Sequence, residues 1–74
     1  LSRAFMYAGT DTVLVSLWSV ADDSTYKMMV RFFDGLKNGK DKMAALKDAK
    51  NYLRNNGYDN PFYWAPFILI GETN

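Results

Sequence analysis

The sequence contains no cysteine and no histidine. Their absence excludes disulfide bonds, thiol nucleophiles, zinc sites of the usual ligand types and imidazole acid–base chemistry from this segment. No apolar run is long enough to span a bilayer, and no secretory signal pattern is present. Excess charge is lacking too. The net charge is +1, which leaves no basic footprint for nucleic acid. Asn38-Gly39-Lys40-Asp41 lacks the spaced glycines and the Lys-Ser/Thr pair of a phosphate loop. Internal repeats and low-complexity tracts are absent. The expectation is a cytoplasmic protein with no cofactor and no metal, and with neither nucleic acid nor membrane among its partners.

What the chain does have is apolar content: 49% hydrophobic and 16% aromatic residues in a length of 74. One domain at most fits that length. A chain so short buries only about 60% of its unfolded surface, so this apolar load calls for a partner surface. The opening on Leu1 rather than Met fits a piece of a longer polypeptide whose remaining part would complete the core. In isolation, self-association is expected.

The organising stretch is Thr12 to Ser24. Val13, Leu14, Val15, Leu17 and Trp18 form a near-continuous apolar run broken only by Ser16, the pattern of a strand covered on both faces. Asp22, Asp23 and Ser24 follow it. In open α/β sheets, binding groups gather beyond the carboxyl ends of strands, which makes Trp18 to Ser24 the candidate site.

Before this strand, Leu1 to Ala8 reads as the last turns of a helix ending at Gly9, with Thr10 and Asp11 turning into the strand. After it, a helix starts at Asp22 or Ser24, either of which can cap it. Tyr26, Met29, Val30, Phe33 and Leu36 mark its apolar stripe, widened by Met28 and Phe32. Asn38-Gly39 ends it, and Asp41 caps a third helix with Met43, Ala45, Leu46, Ala49, Tyr52 and Leu53 inward and Lys42, Lys47, Lys50 and Arg54 toward solvent. Arg54-Asn55-Asn56-Gly57 is a stop, Tyr58 to Pro61 a polar loop, and Phe67 to Ile70 a second strand entered through Pro66, with a frayed tail over Glu72 to Asn74. Two helices between two strands return the chain antiparallel, since a single crossover would give the parallel arrangement. Phe62 to Trp64 then falls at the same sheet end as Trp18 and Asp22.

Three blocks occur in one order: Leu1-Ser2-Arg3-Ala4-Phe5 with Ala8-Gly9; Ser16-Leu17-Trp18-Ser19-Val20 with Asp22; and Tyr63-Trp64-Ala65 with Phe67 to Gly71. Together they resemble the C-terminal portion of a CHAT domain, a caspase-like and separase-like cysteine peptidase module often carried behind tetratricopeptide repeats. The resemblance implies a three-layer α/β/α sandwich whose last strand is an antiparallel edge. It also implies that the family's catalytic cysteine and histidine lie upstream, leaving this segment to shape the substrate cleft.

The candidate substrate-binding residues are Trp18, Asp22, Asp23, Tyr63 and Trp64. Trp18 either lines a specificity pocket or finishes the core with its N–H satisfied locally. Asp22 either receives a basic side chain of a peptide, as similar groups do in separase-like peptidases, or caps the helix; its two oxygens allow both. Asp23 is also readable as a solvated first-turn charge. Tyr63 and Trp64 either rim a peptide groove or cover the sheet edge. The leading expectation is the substrate-cleft segment of a CHAT-type cysteine endopeptidase, inactive alone. The alternative is a non-catalytic CHAT-like interaction module of a repeat-containing signalling protein. Partners would be a peptide or protein substrate and the rest of the domain.

Overall fold

The structure, a computed structural model, describes residues 5–9 and 11–71. Strand β1 (Phe5–Tyr7) and strand β2 (Thr12–Ser16) precede two helices, α1 (Asp22–Lys37) and α2 (Lys42–Asn55). A short 3-10 turn over Pro61–Tyr63 leads into strand β3 (Phe67–Gly71). The sheet order is β1-β2-β3, and both pairings are antiparallel. The antiparallel return of the last strand follows the helix count.

The helix expected over Leu1 to Ala8 is corrected at its described end. Phe5, Met6 and Tyr7 pair backbone to backbone with Val15, Leu14 and Val13. Gly9, at φ +143°, turns a hairpin instead of ending a helix, and the Ala8 N–H closes it on the Thr12 carbonyl at 2.9 Å. Pairing with a ready strand edge outweighs a short helical preference, and Phe and Tyr suit strands well. The expected helical residues Leu1 to Ala4, Thr10 of the turn and the tail Glu72 to Asn74 lie outside the described residues.

The central strand is also shorter than expected and covered on one face. It stops at Ser16, whose hydroxyl donates to the Trp18 carbonyl and bends the chain, while the Leu17 N–H still reaches the Pro66 carbonyl at 3.0 Å. Burial alternates along it: Thr12, Leu14 and Ser16 are buried, Val13 and Val15 only half-buried. Leu14 joins Phe67, Met28, Phe32, Ala45, Leu46, Ala49 and Leu53 in one core between the sheet and the helix pair. The thinnest dimension of the molecule is 15 Å, room for a sheet and a single helix layer at a spacing of about 10 Å. On the other face, Ile68 and Ile70 stand exposed across from Val15 and Val13.

The helices pack closely because small residues meet. A Cβ on Gly35 would lie 3.2 Å from the Ala45 Cβ, so the two backbones approach at the one side-chain-free position of α1. That contact rotates α1 relative to the expected stripe: Ser24, Met28, Phe32 and Gly35 are buried, whereas Tyr26 and Val30 face outward. In α2, Ala45, Leu46, Ala49 and Leu53 are buried as expected, but Met43 is exposed. Lys42, expected in solvent, instead lies against the hairpin, with Nζ 3.1 Å from the Thr12 hydroxyl and 3.4 Å from Asp11. Asp41 caps α2 as its sequence position requires, accepting the Ala44 N–H at 2.8 Å. At the strand terminus Gly71, at φ +112°, passes so near the hairpin that an added Cβ would clash with the Asp11 carbonyl oxygen. A side chain there is excluded.

Candidate functional site

The bend after β2 delivers Trp18 to the surface at the carboxyl end of the strand. Its indole N–H donates to the Phe62 carbonyl at 3.1 Å, and its ring stacks on that of Phe62 with centroids 6.1 Å apart. The N–H is therefore satisfied locally, and 37% of the residue stays exposed. The turn carrying Phe62 is set by Asn60, whose side chain accepts the Phe62 N–H at 2.9 Å, with Pro61 at the first helical position. The aromatic loop thus occupies the same end of the sheet as Trp18.

From Phe62 a chain of ring contacts runs to the first turn of α1. Phe62 meets Tyr63 edge-to-face at 5.6 Å, and Tyr63 meets Tyr58 at 5.2 Å. The Tyr58 hydroxyl donates to the Asp23 carboxylate at 2.7 Å, and the Lys27 ammonium lies 5.2 Å from the centre of the Tyr58 ring. The Tyr58 bond, together with the Ser24 backbone N–H, holds the Asp23 carboxyl below its ordinary range. The same bond pushes the Tyr58 phenol above its own. Asp23 is therefore a bonded member of the cluster as well as a first-turn charge.

Asp22 is differently placed. The N-cap of α1 is Ala21, with no side-chain cap bond, so the expected capping by Asp22 or Ser24 does not occur. Val20 packs against the core, and Ser24 turns inward, its hydroxyl donating to the Ala21 carbonyl at 3.0 Å. Asp22 is left exposed in the first turn, at the end of the helix dipole that favours a negative charge. Trp64 departs from the group: its N–H donates to the Asp59 carbonyl at 3.3 Å and the Arg54 guanidinium lies over its ring at 5.2 Å.

The structure thus brings Trp18, Asp23 and Tyr63 into one network, leaves Asp22 beside it, and turns Trp64 toward α2. Phe62 and Tyr58 are members that sequence reasoning assigned only to a loop. The signal for Tyr58 was an aromatic residue directly after the helix stop Asn56-Gly57. Chemically the cluster offers flat aromatic faces and a carboxylate, a set suited to holding a side chain. Among the described residues no three His, Cys, Asp or Glu side chains converge as metal ligands, and no helix is long and apolar enough to cross a membrane.

Comparison with known proteins places this geometry in context. The family model described as "CHAT domain" matches residues 1–72. Tetratricopeptide repeat protein 28 of Homo sapiens is 39% identical over 73 residues, and its Mus musculus counterpart 36% over 73. Each alignment covers 97% of this chain and 3% of the relative, so the chain spans a small fraction of their length. No solved structure matches.

Proposed function

The chain belongs to the CHAT domain family, and from that premise we propose that it forms the substrate-cleft segment of a CHAT-type cysteine endopeptidase acting in the cytoplasm. The catalytic cysteine and histidine would come from elsewhere in the same polypeptide. The histidine would take the thiol proton, the thiolate would attack the scissile carbonyl carbon, and the proton would pass to the leaving amine. This segment would contribute binding alone. In the same proposal the sheet belongs to a caspase-like three-layer sandwich, which the uncovered Val13, Val15, Ile68 and Ile70 face supports.

The carrying observation is that a locally held, exposed Trp18 ring and an exposed first-turn Asp22 both follow the carboxyl end of β2. A carboxylate near an aromatic wall favours a cationic side chain, Arg above Lys, because the planar fork can bond both oxygens and stack on the ring. In the full-length polypeptide, Asp22→Asn should reduce kcat/KM for peptides with a basic residue before the cut by about 2 to 4 kcal/mol. Neutral substrates should change little, and the fold should hold because Asp22 caps nothing. Equal losses on both substrates, at an unchanged melting temperature, would remove Asp22 from the site.

A second reading, a non-catalytic CHAT-like interaction module of a repeat-containing signalling protein, draws on the relatives' names, which are those of tetratricopeptide repeat proteins. The same cluster would then bind a peptide without cutting it. Full-length protein that binds basic peptides through Asp22 and cleaves none of them would select this reading.

A further inference from the structure

The outer flank of α2 carries chemistry that a substrate cleft does not use. Lys47, Lys50 and Arg54 recur at i, i+3 and i+7, which sets three cations along one side of the helix over about 10 Å. They border a groove of about 340 Å³ with Met43, Leu46 and the Trp64 ring as its apolar lining. Met43 is 56% exposed there, a large apolar side chain on a helix otherwise buried on its apolar side. The described ion pairs engage Arg31, Lys40 and Lys42 and none of these three cations. Among the described residues Arg54 meets Asn51 and the Trp64 ring, both neutral. Lys50 is half-buried, and that burial lowers its pKa; a partly dehydrated ammonium with no ion pair among the described residues gains from an arriving carboxylate.

We propose that this groove docks an acidic amphipathic helix of a partner protein, with carboxylates at i, i+3 or i+4, and i+7 opposite Lys47, Lys50 and Arg54 and a large apolar side chain seated on Met43, Leu46 and Trp64. Helix-in-groove recognition needs both parts, apolar anchors for affinity and charge complementarity for register. Nucleic acid fits less well. A duplex carries one charge per about 1.7 Å of axis, far denser than this row, and offers no side chain for the apolar lining. Of the five candidate cleft residues the groove takes only Trp64, which the structure turns away from Trp18, Asp23 and Tyr63 toward α2, so a test through Lys47, Arg54 and Met43 stands apart from the cleft reading.

The test uses the full-length polypeptide and a fluorescein-labelled amphipathic peptide of about 14 residues, four helical turns, with glutamates flanking a leucine row. Fluorescence anisotropy should show saturable binding that weakens as salt rises, and at least about a tenfold loss when the glutamates become glutamines. Lys47→Glu with Arg54→Glu, both at exposed positions, should also lose at least about tenfold, and a peptide with lysines in place of the glutamates should bind that variant in their stead. Met43→Ala should weaken binding about threefold or more. An unchanged circular dichroism spectrum excludes misfolding as the cause. Equal binding of the neutral peptide, or full binding by the double variant, would overturn the proposal. So would tighter binding of phosphatidylserine vesicles or of an oligothymidylate than of the acidic peptide.

Discussion

Tyr58 and Asp23 lie 35 positions apart and share one hydrogen bond of 2.7 Å. The bond depresses the Asp23 pKa, so its contribution is present above the ordinary aspartate value and is lost as pH falls through the depressed one. It raises the Tyr58 pKa, so the contribution is equally present below the ordinary tyrosine value and is lost as pH rises through the raised one. The pair is thus intact across the neutral range. Tyr58 should titrate above the ordinary tyrosine value of about 10 when its ring signals are followed by NMR against pH. Asp23→Asn should bring it back toward that value, and a Tyr58 that titrates at the ordinary value in the parent chain would refute the bond. This contact was not legible in the sequence, because no local period links a helix start to a loop so far downstream. The shared sheet end of Trp18 and Tyr63 was legible, the first from the apolar run that it ends and the second from the two helices that return the chain. The N-cap was not: Asp22 and Ser24 are both residue types that cap, whereas the helix is capped one residue earlier, at Ala21, after a Val20 packed against the core.

The two helices were read from period and capping nearly to their ends, yet the buried side of α1 was displaced. Tyr26, Met28, Met29, Val30, Phe32, Phe33 and Leu36 put apolar groups around most of its circumference, so period alone does not choose a face. The choice falls to Gly35 and Ala45, whose lack of bulk lets the helices meet. Strand β1 was hidden for a related reason, since three residues carry too little pattern to outweigh a neighbouring glycine that also suits a helix end. The importance of the small-residue contact can be measured directly. Ala45 is fully buried, and Ala45→Leu should destabilise the chain by about 1 to 3 kcal/mol through overpacking, read from the midpoint of urea unfolding. A loss no greater than that of an exposed control such as Ala44→Leu would show that the helices can part without cost.

Taken whole, the described residues form a sheet layer and a helix layer, with the sheet face away from the helices partly exposed. Ile68 and Ile70 are exposed there, Val13 and Val15 half-buried, and all four are β-branched residues suited to a packed sheet. Apolar surface of this kind, together with the outer edge of β3, invites association in isolation. Sedimentation of the purified chain at micromolar concentration should show dimers or larger species, and Ile68→Lys with Ile70→Lys should return it to monomer. A parent chain that is already monomeric would contradict the expectation. The sheet also has a consequence in time. Thr12 pairs with Gly71, about 60 residues later, whereas α1 and α2 are joined by a short turn. Closing the long loop demands far more chain entropy than closing the short one. The helical hairpin and the β1–β2 hairpin are therefore the parts able to form early, and β3 the last strand to dock. On that order Ala45→Leu slows folding, while weakening the β2–β3 pairing chiefly hastens unfolding.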